Sequence, residues 1–183
     1  GTGLALMKLS SHVVIRRLAT FYISIFRGTP LLVQLSLIYF ATPQLTGYQI
    51  TALEAGLLAF SLNSTAYVSE IIRAGVEAVD KGQFEAADSL AIPYTNTMIF
   101  IIIPQAVRNI LPALVNEAVN LLKESALVSV IGELDLLRRA NIVSSQTFLY
   151  FEPLLFVALV YYVLVSILSR VSRILEKRLK RSD

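Results

Sequence analysis

The apolar runs in this chain are longer than a soluble core of 183 residues would need, and the charges fall in clusters between them. A helix needs about twenty mainly apolar residues to cross a bilayer. Four segments approach or exceed that length: residues 18–41, 51–73, 113–131 and 154–168. The pattern predicts an all-α integral membrane protein. Composition agrees, with 55% hydrophobic and 16% charged residues and a mean hydropathy of +0.66. A pI of about 9.3 would suit nucleic acid, but the basic residues gather beside apolar segments rather than interleaving with aromatics on one polar face. No nucleic-acid partner is expected. Cysteine is absent and His12 is the only histidine, so disulfides, thiol chemistry, a zinc site and a His-based triad have no material.

The basic residues set the orientation. Thirteen of the sixteen Lys and Arg fall on one side of the four segments: Lys8, Arg16, Arg17 and Arg27, then Arg73, Lys81 and Arg108, then Arg170, Arg173, Lys177, Arg178, Lys180 and Arg181. Arg138 and Arg139 fall on the other side, and Lys123 lies within a span. The positive-inside rule then places the 74–112 loop and the C-terminus in the cytoplasm. Six apolar residues, 98–103, are too few for a further span, so that helix is expected partly in the membrane interface. Residues 1–7 read as the tail of a membrane helix whose greater length would lie upstream, and residues 132–153 as an external segment with its own short helix. Arg27 and Pro30 imply a break near the inner surface. Two readings of Arg27 stand, snorkelling to headgroups or a structural role at the break.

Two spans carry polar stripes. Asn63, Tyr67 and Glu70 fall at i, i+4 and i+7, with Ser64 at their edge. A carboxylate facing lipid would cost about 2.5 kcal/mol or more, so Glu70 should face an interior, a wet path or the inner headgroups. Asn116, Asn120, Lys123 and Glu124 mark a face of the third span, with Glu117 and Ser125 beside them. Such a face either glues helices together or lines a polar path, and amides alone would serve for glue.

Residues 85–104, EAADSLAIPYTNTMIFIIIP, are a polar helical turn set between apolar segments and ending on proline. Ala86 and Ala87 favour a helix and have little bulk, which suits close docking against another surface. Glu85 and Asp88, at i and i+3, share one face and are expected in the first turn, where they favour the positive end of the helix dipole and can take a partner's Arg. Pro93 suits the opening of the next helix, and Pro104 is expected to interrupt it. Taken alone, Glu-Ala-Ala is also compatible with an ordinary amphipathic loop.

The spacing of Glu85-Ala86-Ala87, Ala91, Ile101, Ile103 and Pro104 resembles the signature loop of ABC-importer membrane subunits: EAA, three residues, Gly, nine residues, Ile, any residue, Leu-Pro. RGTPLLVQL at 27–35, NSTAYVSEIIRAG at 63–75, VDKGQFEAADSL at 79–90, PQAVRNILPALVNE at 104–117 and LLKESALVSVIG at 121–132 narrow the resemblance to polar amino-acid permeases of the histidine, glutamine and arginine uptake family. The resemblance implies a single transmembrane domain over 1–183: a type I importer core of five helices, four of them full spans here, with a cytoplasmic coupling helix in the 74–112 loop. It implies a bacterial inner-membrane permease pairing with a second permease subunit, two cytoplasmic ABC ATPases and an external solute-binding protein. ATP and Mg would be bound by the ATPases, and no cofactor by this chain. Gln83, Glu85, Ala86, Ala87, Asp88 and Ala91 would couple to the ATPase. Asn63, Ser64, Tyr67, Glu70, Asn120, Lys123, Glu124 and Ser125 would meet an amino acid during alternating access, with Asn63, Glu124 and Ser125 foremost, while Glu70 and Lys123 would also suit a gate or a structural pair. Glu70, Glu117 and Glu124 favour a cationic or neutral cargo among arginine, lysine, histidine, glutamine and glutamate. Ala91 stands where the family pattern has Gly; a helical geometry tolerant of alanine is expected, with somewhat altered coupling.

Rival readings are a membrane enzyme, a passive channel or scaffold subunit, and an importer of another small polar solute. No metal-ligand set, no nucleophile with a base and no G-x-x-x-x-G-K phosphate loop is present. A channel would not need a docking helix.

Overall fold

The computed structural model describes the backbone of residues 1–180 and the side chains of residues 1–174. Lys177, Arg178, Lys180 and Arg181 lie outside the described side chains. Every regular element among the described residues is helical. Three helices open the chain: α1 (Thr2–Leu9), α2 (Val13–Gly28) and α3 (Leu31–Thr46). Next come α4 (Ala52–Glu77) and the short α5 (Lys81–Ser89). A long helical rod, α6 (Tyr94–Ile131), is followed by α7 (Leu136–Thr147) and α8 (Phe151–Lys180).

The first expected span is not one helix. At Thr29-Pro30 the chain leaves helical geometry, and α2 and α3 meet at 99°. Pro30 lacks an N–H and caps α3 in extended conformation. Helix α4 begins with a capping box in which Thr51 Oγ1 accepts from the Glu54 N–H at 3.2 Å and the Thr51 N–H donates to Glu54 Oε2 at 2.8 Å. Tyr48 Oη donates to the same carboxylate at 3.0 Å. This bond, reinforced by the carboxylate's charge, raises the Tyr48 phenol above its ordinary value.

Pro104 does not end a helix. Ahead of it lies a π-helical turn, Thr97–Ile102, in which the Ile103 N–H reaches back to Met98 O. Widening the turn before a proline is one way to relieve its clash with the preceding turn. The rod continues as regular helix, Ile103–Glu124, and tightens to 3₁₀ geometry over Ser125–Ile131. The interfacial helix and the third span thus form one rod of 38 residues, about 57 Å at 1.5 Å per residue.

By length and hydropathy α6 and residues 151–174 of α8 suffice to cross a membrane, and the bent α2–α3 pair makes a third crossing if it counts as one span. The second expected span, 51–73, became α4. Its 26 residues are long enough, but Glu54, Asn63, Glu70, Arg73 and Glu77 make it more polar than the others. Neighbouring helices cover its polar middle. Helices α4 and α6 approach closely at two glycines: a Cβ on Gly75 would lie 2.2 Å from Ile110 Cγ1, and one on Gly56 3.2 Å from Val128 Cγ1. The main apolar core gathers Leu31, Leu35, Ala55, Ala59 and Ile131 from α3, α4 and the end of α6.

Candidate functional site

The polar residues of α4 divide between two surroundings. Asn63 is buried, and its Nδ2 donates to Phe26 O at 3.1 Å and to Gln34 Oε1 at 3.0 Å. Gln34 Nε2 in turn donates to Phe26 O, Thr29 O and Thr29 Oγ1 at 2.8–3.0 Å. The break between α2 and α3 releases backbone carbonyls that lipid cannot satisfy. These two amides supply the missing donors, so Asn63 is engaged in holding the elbow.

One and two turns further on, the expected stripe becomes an ion cluster. Glu70 is bonded by Lys8, by Arg73 at 2.9 Å and, at 3.5 Å, by Arg27, while Arg73 also pairs with Glu77. The Arg27 guanidinium lies 5.3 Å from the centre of the Tyr67 ring. Arg27, in the last turn of α2, therefore ties that helix to α4, the structural one of its two readings. A cavity of about 490 Å³ opens beside Arg27, Tyr67, Glu70 and Arg73 and extends to Asn109 of α6.

Ser64 faces another way. With Phe60, Ser61, Thr65, Val68 and Leu121 it lines a cavity of about 370 Å³ between α4 and α6, which Gly1 also borders. On α6, Asn116, Asn120 and Lys123 are exposed, while Glu117, Glu124 and Ser125 are half-buried. Ser125 Oγ donates to Leu122 O at 2.7 Å. Lys123 and Glu124 form no ion pair with each other or with any described residue. The structure thus brings Asn63, Tyr67 and Glu70 together with α1–α3, and leaves Asn120, Lys123 and Glu124 apart from them. Gln34 was missed in the sequence because a single glutamine in an apolar run has no periodic partner. The residues released by Thr29-Pro30 were the available signal.

Helix α5, where docking is expected, is capped by Asp80, which accepts from the Gly82 N–H at 2.7 Å. It starts at Lys81, four residues before Glu85. Glu85 and Asp88 are therefore not in its first turn, and Asp88 sits near the C-terminal end, where the helix dipole disfavours an anion. Both are exposed, as are Gln83 and Ala86, and neither carboxylate pairs with a cation among the described residues. Ala87 points inward and is buried. It fastens α5, together with Phe84, which packs on Val79, Ile102 and Ala106. Gln105 Nε2 donates to Gln83 Oε1 at 3.3 Å and links α5 to the rod.

Ala91 departs from expectation. Its φ is +55°, left-handed and outside any helix. The Ile92 N–H bonds Ala87 O at 3.0 Å and the Ala91 N–H bonds Asp88 O at 2.9 Å, the paired bonds of a Schellman helix end. Its key position favours glycine, which has no Cβ to strain there. The same motif ends α6, where Gly132 has φ +91° and the Glu133 N–H bonds Val128 O.

The comparisons bear on this architecture. The chain matches, over residues 1–181, the family described as "Binding-protein-dependent transport system inner membrane component". It is 57% identical over 179 residues, 98% of this chain and 82% of the relative, to the "Putative glutamine transport system permease protein GlnP" of Rickettsia bellii. It is 51% identical over 183 residues, 100% of this chain and 84% of the relative, to the "Arginine transport system permease protein ArtQ" of Bacillus subtilis. Among solved structures, the "Crystal structure of an amino acid ABC transporter with histidines" aligns with a TM-score of 0.92 at 52% identity, over 96% of this chain and 82% of that one. An inward-facing MetNI methionine transporter, at 15% identity and a TM-score of 0.68 over 95% of this chain and 83% of that one, shares the fold. Over nearly its whole length, then, this chain belongs to the inner-membrane components of binding-protein-dependent transport systems, as a multi-pass permease subunit.

Proposed function

We propose that this permease subunit forms the path for polar amino acids in an ATP-driven importer, driven through α5 by a separate ATPase. The carrying observation is the exposed Glu85 and Asp88, without a cation partner among the described residues, on a short capped helix whose opposite side is fastened to α6. A helix tied to the rod by Phe84, Ala87 and Gln105 passes a push from the cytoplasm directly to the membrane helix that bears the unpaired polar groups. In this reading the coupling helix and the C-terminus face the cytoplasm. A second permease subunit, two ATPases holding ATP and Mg, and an external solute-binding protein complete the complex. Ser64, Asn120, Lys123, Glu124 and Ser125 form the path, and Asn63, Tyr67 and Glu70 shape its wall.

The cargo is a cationic or neutral amino acid. Glu70 is already surrounded by three cations, so its charge is not available to cargo; Glu117 and Glu124 supply the negative character. Relatives named for glutamine and for arginine fit that range.

The test is ATPase activity of the full-length permease reconstituted with its ATPase and binding protein, measured across a panel of amino acids. Stimulation by glutamine or a basic amino acid, lost in Glu85→Lys while the subunit still inserts, is the expected result. An assembled complex that no amino acid stimulates would leave the transporter and remove the cargo class. Uptake continuing without ATP would reinstate a passive channel.

A further inference from the structure

We propose that the open basic cavity bordered by α1, α2 and α4 is a headgroup site for an anionic phospholipid. The proposal depends on the chain being embedded in a membrane and not on its cargo. The cavity measures about 650 Å³ and is lined by Lys8, Arg16, Arg17 and Arg73, with Glu77 the one acidic residue among the described residues that line it. Lys8 and Arg73 are committed to Glu70 and Glu77. Arg16 and Arg17 are exposed, and no acidic side chain among the described residues pairs with either. The cavity therefore holds two guanidinium charges that no described acidic side chain balances. Guanidinium groups bind phosphate oxygens through paired N–H bonds.

The walls decide which phosphate. Val13 and Phe21 line the same cavity and are 48% and 67% exposed. Val14 and Leu18, on the same helix, are also exposed. A soluble anion would use Arg16 and Arg17 and leave those apolar surfaces uncovered. An acidic protein surface would have to cover both, against side chains suited to acyl chains. A phospholipid places its phosphate on the arginines and its chains along Val14, Leu18 and Phe21. An amino-acid zwitterion fits poorly, because the one carboxylate in the cavity, that of Glu77, is taken by Arg73.

The full-length permease complex is reconstituted in nanodiscs of phosphatidylcholine with a minority of phosphatidylglycerol, extracted, and its retained lipids are counted by mass spectrometry. A basic residue at an anionic membrane surface contributes about fivefold in partitioning. Arg16→Gln combined with Arg17→Gln is therefore expected to lower retained phosphatidylglycerol by about 25-fold, with retained phosphatidylcholine unchanged. Arg16→Lys with Arg17→Lys keeps most of the retention, which separates loss of charge from loss of fold. Arg138→Gln with Arg139→Gln, two charges removed elsewhere, leaves it intact. Unchanged retention in the Arg16/Arg17 glutamine variant would overturn the site, as would an equal loss in the Arg138/Arg139 variant. Displacement of retained phosphatidylglycerol by inorganic phosphate alone would make it a free-anion site and also overturn it. Weaker ATPase association of the glutamine variant in pure phosphatidylcholine, with lipid retention intact, would assign the surface to the ATPase instead.

Discussion

The polar residues of α4 and those of α6 lie at comparable places in neighbouring helices, yet they live differently. On α4, Asn63 and Glu70 are saturated: the amide holds the α2–α3 elbow and the carboxylate gathers Lys8, Arg27 and Arg73. On α6, Asn116, Asn120 and Lys123 stand exposed, and Glu124 has no ion pair among the described residues. A polar group in a membrane helix costs free energy until it is satisfied. Where the chain satisfies it internally, the group specifies the fold. Where the chain leaves it open, the group is held for water, cargo or a second subunit. Under the proposed function, the difference separates structural from transport residues without reference to depth in the bilayer.

The largest test of that separation is Glu70→Gln. It removes the one anion shared by three partly exposed cations and should destabilise the subunit by about 3 kcal/mol, the low end of the scale for breaking a buried ion pair. Thermal unfolding of the assembled complex would show it, and an unchanged melting temperature would mean that Glu70 belongs with the open groups. Asn63→Leu is next, at about 2 kcal/mol, since it leaves Phe26 O and Gln34 short of a partner. The concentration of cargo giving half-maximal uptake should stay constant in the protein that does fold. A selective rise in that concentration, with stability intact, would return Asn63 to the substrate site.

On the other helix the sign reverses. Asn120→Leu and Glu124→Gln should leave the melting temperature within about 1 kcal/mol of the parent, because no described partner is lost. Uptake should fall on the order of tenfold, equivalent to about 1.4 kcal/mol. Substitutions that melt the protein without slowing the surviving fraction would make this face a helix-packing seam.

Much of this division was hidden in the sequence. The membrane class was legible from run length, and the family from the spacing of Glu85, Ala86, Ala87 and Pro104. Periodicity correctly put Asn63, Tyr67 and Glu70 on one side of α4, but a helical period cannot say which neighbour that side meets. Their partners Lys8, Arg27 and Gln34 lie 29 to 62 residues away, a separation set by packing. Pro104 misled for a related reason: its cost is local, but the π turn that absorbs it is built from Thr97–Ile102 ahead of it.

Ala91 offers the smallest effect and the sharpest reading of the docking end. At φ +55° an alanine in the Schellman position carries about 1 kcal/mol of strain that glycine would not. Gly132, in the equivalent bonds at the end of α6, has no such burden. Ala91→Gly should therefore stabilise the α5 end by about 1 kcal/mol, less a few tenths for the added freedom of glycine in the unfolded chain. Hydrogen exchange at the Ala87–Ile92 amides reads this locally, and protection should rise several-fold. If the strain also loosens the joint between α5 and α6, the glycine variant should raise the ratio of cargo-stimulated to basal ATPase activity. Greater protection with an unchanged ratio would confine Ala91 to stability and show that the tie through Phe84, Ala87 and Gln105 alone transmits the stroke.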